Sequence, residues 1–280
     1  MPPAVGAASS ELSVGGAFSS GWMIFTQNYG SLLAVTLIYA AIEIGFIIAG
    51  LVCEAMIGFN LIVFAKAIFF EPPMMAGVSY FAVQLARGHK PPIGDMFVGF
   101  SRYWALIGVG ILVALIAITV LFVAGLGAGI VAVILFAAGP IAGVLGVVTA
   151  VAFVLFVMLA VTARLWFASL ICLDPHTGQP GVTESIAASW RATSGSTWGS
   201  IIVIFILFIL IILASLLALI LPMLFFAMPL MYAVIGVTYV AIAPRTRLIQ
   251  GGRRCAFCGY DLHGVESPIC PECGNRWEYE

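Results

Sequence analysis

Two very long uncharged stretches decide what this chain can fold into. No Asp, Glu, Lys, Arg or His lies between Arg102 and Arg164, or between Arg191 and Arg245. One membrane-spanning helix needs about 20 apolar residues, so each stretch is long enough for two. The first stretch is expected to break at Gly125, Gly127, Gly129, Gly139 and Pro140. Only 8% of the 280 residues are charged, against about 25% in an average soluble domain. The sequence therefore predicts an all-α, multi-pass membrane protein.

Two further spans are predicted before these stretches, although each contains one charged residue. Glu43 interrupts the first apolar run and Lys66 lies within the second. A lone ionisable group is tolerated in a helix that faces the interior of a bundle. The predicted body is therefore a domain of six transmembrane helices in residues 18–245, after a flexible cytoplasmic N-terminal tail in residues 1–17.

The positions of the basic residues predict the orientation of the body. With six spans, every Lys and Arg outside the bilayer falls on one side, and the opposite side receives none. Basic residues of short loops are retained in the cytoplasm. Both termini are therefore expected on the cytoplasmic side of a bacterial inner membrane, since a seventh or a missing span would divide the basic residues between both faces.

Aromatic residues recur before each pair of predicted spans. From Phe18 to Tyr29 four of them are spaced by four, three and four residues, so their rings share one face of a helix that can lie in the membrane interface. Similar segments occupy residues 95–104 and 184–198. One hypothesis is a threefold repeat of interfacial helix, span and span. The alternative is the aromatic belt that multi-pass proteins generally carry.

Four cysteines near the C-terminus stand at metal-ligand spacing. Cys255 and Cys258 form one C-x2-C pair, Cys270 and Cys273 form a second, and eleven residues separate the pairs. Thiolates at this spacing can bind one tetrahedral ion, and four of them leave no open coordination position, so the site is structural. Zinc is the predicted ion, with a single iron as the alternative. The predicted zinc ribbon occupies residues 246–280, and its module from Arg253 to Glu280 is expected to depend on this metal to fold.

The run from Cys255 to Gly264, followed by Cys270-Pro-Glu-Cys273-Gly, resembles the rubredoxin-like zinc ribbons of many bacterial proteins. The resemblance covers about a tenth of the chain. It implies a small cytoplasmic β-hairpin module for regulation or for contact with a protein partner, but no particular activity. The net charge of −1 predicts no nucleic-acid partner.

Short motifs in the predicted body lie at Met75–Tyr80, Asp95–Tyr103, Arg164–Ala168 and Glu184–Arg191. They resemble those of a broad group of six-span bacterial membrane proteins, a group similar to the membrane domain of glycerophosphodiester phosphodiesterase. The resemblance implies a six-helix fold for the body embedded in the lipid bilayer. No phosphodiesterase domain is present in the sequence, so the resemblance does not imply that hydrolytic activity.

Glu43 and Lys66 are the candidate functional pair of the body. In a hairpin of the first two spans they lie about 16 to 18 Å from the predicted starts of their helices, at 1.5 Å per residue. Both are then expected near the middle of the bilayer, where they could pair. One interpretation is an ion or proton relay, and the other is a neutralised pair that fixes helix register. Glu71 is expected among the lipid headgroups.

No catalytic residues are predicted. The histidines are isolated in loops, which excludes a paired-histidine metalloprotease motif. The glycines of residues 125–129, together with Gly139 and Gly143, predict close helix packing. The first functional hypothesis is a non-enzymatic membrane protein whose zinc ribbon binds a cytoplasmic partner. The alternative is a transporter or lipid-handling protein with a polar path through Glu43 and Lys66.

Overall fold

The structure is a computed structural model that describes residues 13–217 and 222–247. Helices account for nearly all of these residues, and no strand occurs among them. The four cysteines of the predicted ribbon lie outside the described residues. In chain order the α-helices are α1 (Val14–Gln27), α2 (Tyr29–Ile57), α3 (Leu61–Ala65), α4 (Glu71–Ala86), α5 (Tyr103–Ala138), α6 (Pro140–Leu165), α7 (Ala168–Leu173), α8 (Val182–Ala192), α9 (Ser196–Leu217) and α10 (Met228–Arg247).

Some segments between these helices are wound differently. A π-helical segment, Lys66–Phe70, joins α3 to α4, and a second, Met223–Ala227, precedes α10. Each is followed two residues later by a proline, Pro72 or Pro229. A proline ring clashes with the carbonyl four residues earlier in an α-helix, and a wider π turn accommodates it. A 3-10 helix, Ile93–Arg102, precedes α5.

Six helical stretches in the described part of the chain are long and apolar enough to cross a membrane, which confirms the predicted number. The body is therefore that of a multi-pass membrane protein. The six stretches are Tyr29–Met56, Leu61–Ala86, Ile93–Ala138, Pro140–Leu173, Thr197–Ser215 and Met223–Ala243.

The break between the third and fourth spans falls at one glycine. Gly139 has a φ of 142°, a backbone conformation that side chains with a Cβ rarely adopt, and Pro140 begins the next helix. The glycines of residues 125–129, which were expected to contribute to this break, lie within the unbroken helix α5.

Each pair of spans is preceded by a short helix, as the threefold hypothesis requires. We call α1, the 3-10 helix and α8 the lead helices. The first packs on α10, the second on α4, and the third on α7 and the end of α6. Each lead helix therefore contacts the second span of the pair that precedes it in the sequence. For the first lead helix, which has no preceding pair, the contact is with the second span of the last pair.

The first lead helix is held by contacts within the protein. It begins at Val14 and buries Ala17, so the last residues of the predicted tail are helical. The ring centroid of Phe25 lies 5.5 Å from that of Phe226. The Tyr29 hydroxyl, just after the helix, donates to the Phe225 carbonyl at 3.2 Å. The aromatic face expected in the membrane interface thus packs on the final span.

Helix α4 is the central element of the bundle. From Pro73 to Ala86 every residue except Met75 and Gln84 is buried. The 3-10 lead helix covers one side of α4, and α10 covers another. The second span therefore connects all three pairs.

Glycines allow the backbone of α4 to touch its neighbours. A Cβ on Gly77 would overlap the Met96 carbonyl, and one on Gly99 would overlap the Pro73 carbonyl. A Cβ on Gly236 of α10 would lie 2.5 Å from a carbonyl oxygen of α4. Real Cβ contacts do not come this close, so these helix pairs require glycine.

The glycines of the long hairpin α5–α6 behave differently from one another. Gly143 of α6 lies against the Phe136 ring, which confirms the packing predicted there. The packing prediction is wrong for Gly139 and for the glycines of residues 125–129, where added Cβ atoms at positions 125, 127, 129 and 139 would meet nothing within 4 Å. Gly127 instead lines a cavity between the two helices, together with Thr149 and Phe153 of α6, so α5 and α6 are not in close contact there.

Candidate functional site

The first hairpin brings Glu43 and Lys66 into contact. Glu43 lies near the centre of α2, and Lys66 opens the π-helical segment after α3. The Lys66 ammonium donates to Glu43 Oε2. The two charges interrupting the first two spans thus neutralise one another.

Glu71 is the third member of this site, although it was expected among headgroups. Its Oε2 lies 3.4 Å from Lys66 Nζ. In an α-helix, residues five apart point about 140° apart, because each residue turns the chain by about 100°. The Glu71 N–H instead bonds to the Lys66 carbonyl in a π turn, which needs five residues for about one turn. The π segment therefore places both side chains on one side.

Two buried polar atoms near this ion triplet have no hydrogen-bond partner in the described part of the chain. They are Glu43 Oε1 and the hydroxyl of Tyr232 on α10. Tyr232 is 3% exposed and interacts electrostatically with Glu43. Tyr39, one turn before Glu43 on α2, also interacts with that carboxylate. These five residues are called the polar cluster below.

Lys66 is less central in the second span than the sequence suggested. Helix α2 continues to Ile57, and the second span begins only at Leu61. Lys66 is therefore five residues from the start of its span, or about 8 Å, rather than the about 16 Å counted from Ala55. Glu43, fourteen residues after Tyr29, stays near the centre of the first span.

A separate buried ion pair, which the sequence did not reveal, lies at the other end of α4. Arg87 donates to both oxygens of Asp174, at 3.1 and 2.5 Å. The Tyr239 hydroxyl donates to Oδ2 at 2.9 Å, and the His176 backbone N–H donates to Oδ1 at 3.1 Å. Asp174 is fully buried and both of its oxygens are bonded. The pair therefore joins the ends of the second, fourth and sixth spans as a structural contact.

Arg87 keeps its positive charge over the physiological pH range. Burial lowers its pKa, but the hydrogen bonds and the charge of Asp174 outweigh burial and raise the pKa above its ordinary value. Because the pKa of Arg87 is higher in the folded than in the unfolded protein, its ionised form stabilises the fold at every pH below the unfolded-state pKa. This stabilisation is lost only when the pH rises through the folded-state pKa. Arg87 therefore contributes equally at every physiological pH.

Two tyrosines from different spans face this ion pair. Gly77-Val-Ser-Tyr80 in α4 and Gly236-Val-Thr-Tyr239 in α10 share the pattern Gly-Val-Ser/Thr-Tyr. Tyr239 bonds to Asp174, and Tyr80 interacts with both Asp174 and Arg87. This shared pattern marks corresponding positions in the second and sixth spans. It is visible in the sequence, but it was not used in the sequence analysis.

No group of three or more His, Cys, Asp or Glu side chains that could hold a metal occurs in residues 13–217 and 222–247. The predicted zinc ligands lie outside these ranges. Comparisons with protein-family models, with curated proteins and with solved structures find no match to the chain. The resemblances to six-span bacterial proteins and to zinc ribbons therefore stay predictions, and function is argued from the geometry of the polar cluster.

Proposed function

We propose that the protein is a transporter or lipid-handling membrane protein that exchanges a proton at the polar cluster. The supporting observation is that one ammonium, on Lys66, serves two carboxylates, on Glu43 and Glu71. When all three groups are ionised, the cluster carries one uncompensated negative charge. Such a charge is costly inside a membrane. A proton on Glu43 Oε1, which meets no hydrogen-bond criterion in the described part of the chain, removes the charge.

The two carboxylates differ in exposure, with the Glu71 side chain 42% exposed and that of Glu43 23% exposed. In the proposed exchange the proton enters at Glu71, the more exposed of the two. Transfer to Glu43 Oε1 forms a carboxylic acid there and leaves Lys66 paired with ionised Glu71. Release restores the Glu43 carboxylate and its contact with Lys66. The neighbouring Tyr232 hydroxyl offers a hydrogen-bond partner for the protonated acid.

Proton flux into liposomes tests this proposal. We expect the reconstituted protein to acidify vesicles under a membrane potential, and Glu43→Gln to slow this flux about tenfold or more, since the amide cannot carry the proton. The matched control is Glu54→Gln, because Glu54 is an exposed carboxylate on the same helix whose side chain contacts Asn60 at 3.5 Å. Equal flux in Glu43→Gln and in the wild type would refute the relay.

We propose a second function for the predicted zinc ribbon, namely recruitment of a cytoplasmic protein partner. It is supported by the spacing of the four cysteines. We propose in addition a location in a bacterial inner membrane with both termini in the cytoplasm, supported by the one-sided distribution of basic residues. In this proposal neither the body nor the ribbon is catalytic.

The metal prediction is tested by elemental analysis of the purified protein. We expect one zinc per chain, lost when Cys255 and Cys258 are both replaced by Ser, because two thiolates cannot hold the ion at structural-site affinity. Cys53→Ser is the control, since Cys53 has no cysteine at ligand spacing. Full zinc content in the double variant would disprove the ligand assignment. Affinity capture with the same variants shows whether any partner depends on the metal.

A further inference from the structure

Two tryptophan rings lie against the guanidinium of Arg164 at the end of α6. Its Cζ is 4.5 Å from the ring centroid of Trp190 and 5.3 Å from that of Trp198. Trp190 belongs to α8 and Trp198 to α9, so three helices meet at this cation. Ring contacts of this kind position a guanidinium and leave its N–H donors available for oxygen atoms.

The backbone beneath this side chain is fixed by α8. The Arg164 carbonyl accepts hydrogen bonds from Ser189 Oγ at 2.6 Å and from Thr193 Oγ1 at 3.5 Å. Arg164 makes no ion pair with the residues that the structure describes. In this it differs from Arg87, which is paired with Asp174. A positioned guanidinium without a carboxylate is suited to an anion from outside the protein.

A second donor near Arg164 also lacks a partner. Trp198 Nε1 is buried and bonds to no acceptor in the described part of the chain. Buried N–H groups are nearly always hydrogen-bonded, so this one calls for an oxygen acceptor. The ring that carries it is one of the two that lie against Arg164. One anion with several oxygens would satisfy both groups.

We propose that Arg164 and Trp198 bind the phosphate of a phospholipid headgroup. A guanidinium matches phosphate oxygens in geometry and charge. Arg164 is one residue from the C-terminal end of α6, and tryptophans at the ends of spans lie at the depth of headgroups. Inorganic phosphate offers the same oxygens, and the lipid is the source we assign. This site is independent of the polar cluster and of its proposed function.

Lipid binding to the intact protein in detergent, followed by native mass spectrometry, tests the assignment. The probes are phosphatidylglycerol, diacylglycerol with the same acyl chains but no phosphate, and inorganic phosphate. We expect one tightly bound phosphatidylglycerol and no comparable binding of diacylglycerol. Arg164→Gln should weaken the lipid about tenfold or more, as loss of a charged hydrogen bond does. Trp198→Phe keeps a ring and removes only the N–H, and should weaken binding several-fold.

The control is Arg191→Gln. Arg191 is exposed and follows Trp190 in the sequence, and its own side chain donates to the Ala187 carbonyl of the same helix. This variant should bind the lipid like the wild type. Wild-type affinity in both Arg164→Gln and Trp198→Phe would overturn the proposal, as would equal binding of diacylglycerol. Displacement of the lipid by millimolar inorganic phosphate would overturn the lipid source. If Arg164→Gln does not fold, Trp198→Phe alone decides.

Discussion

Asp174→Ala is expected to lower the free energy of unfolding by about 3 to 5 kcal/mol, the usual cost of removing one partner from a buried ion pair. The Arg87 guanidinium, whose side chain is 12% exposed, would then be buried without its anion. The Tyr239 hydroxyl would lose its acceptor as well. Equilibrium unfolding in detergent micelles, followed by tryptophan fluorescence, measures the change.

Two further variants distinguish the loss of stability caused by breaking the ion pair from the loss that any substitution causes. Asp95→Ala is the matched control, because Asp95 forms no ion pair among the described residues, and it should cost much less. The double variant Arg87→Met, Asp174→Leu removes both charges and should be more stable than Asp174→Ala, since no charge is left unpaired. If Asp174→Ala and Asp95→Ala destabilise equally, the structural role of the pair is wrong.

Gly77→Val is expected to destabilise the body by about 3 kcal/mol or more, and Gly77→Ala by about 1 to 3 kcal/mol, the range for overpacking a closed contact. The backbone of the 3-10 lead helix occupies the space that a Cβ needs, and carbonyl oxygens cannot move aside as a flexible side chain would. The same unfolding assay measures both variants.

Gly127→Ala is the matched control for this contact. Gly127 is also within a helix, but no atom lies within 4 Å of an added Cβ there. Alanine favours a helix over glycine by up to about 1 kcal/mol, so this variant should be neutral or slightly more stable than the wild type. A Gly77→Ala variant as stable as Gly127→Ala would show that the α4 contact is looser than described.

The number of spans was predictable because hydrocarbon thickness fixes the length of an apolar helix. The glycines of residues 125–129 were expected to contribute to the break because glycine ends helices readily in water. In a membrane the backbone has no water to bond with, so the helix continues through them. At Gly139 the left-handed backbone and the following proline do end the helix.

The polar cluster was only partly predictable. Glu43 and Lys66 could be paired because they lie in one hairpin, whereas Glu71 could not, because only the π turn brings it to the side of Lys66. Tyr232 comes from the last span, and no local pattern links it to the first. The role of Asp174 could not be predicted, since its partner Arg87 is 87 residues away in the sequence.

The central claim, that the polar cluster carries one exchangeable proton, is tested most directly by infrared difference spectroscopy of the protein in lipid while the pH is stepped. We expect a carbonyl stretching band of a protonated carboxyl group that appears and disappears reversibly with pH. Glu43→Gln should remove this band, and Glu54→Gln should leave it unchanged. A wild-type protein with no such band at any pH, or a band that persists in Glu43→Gln, would contradict the claim.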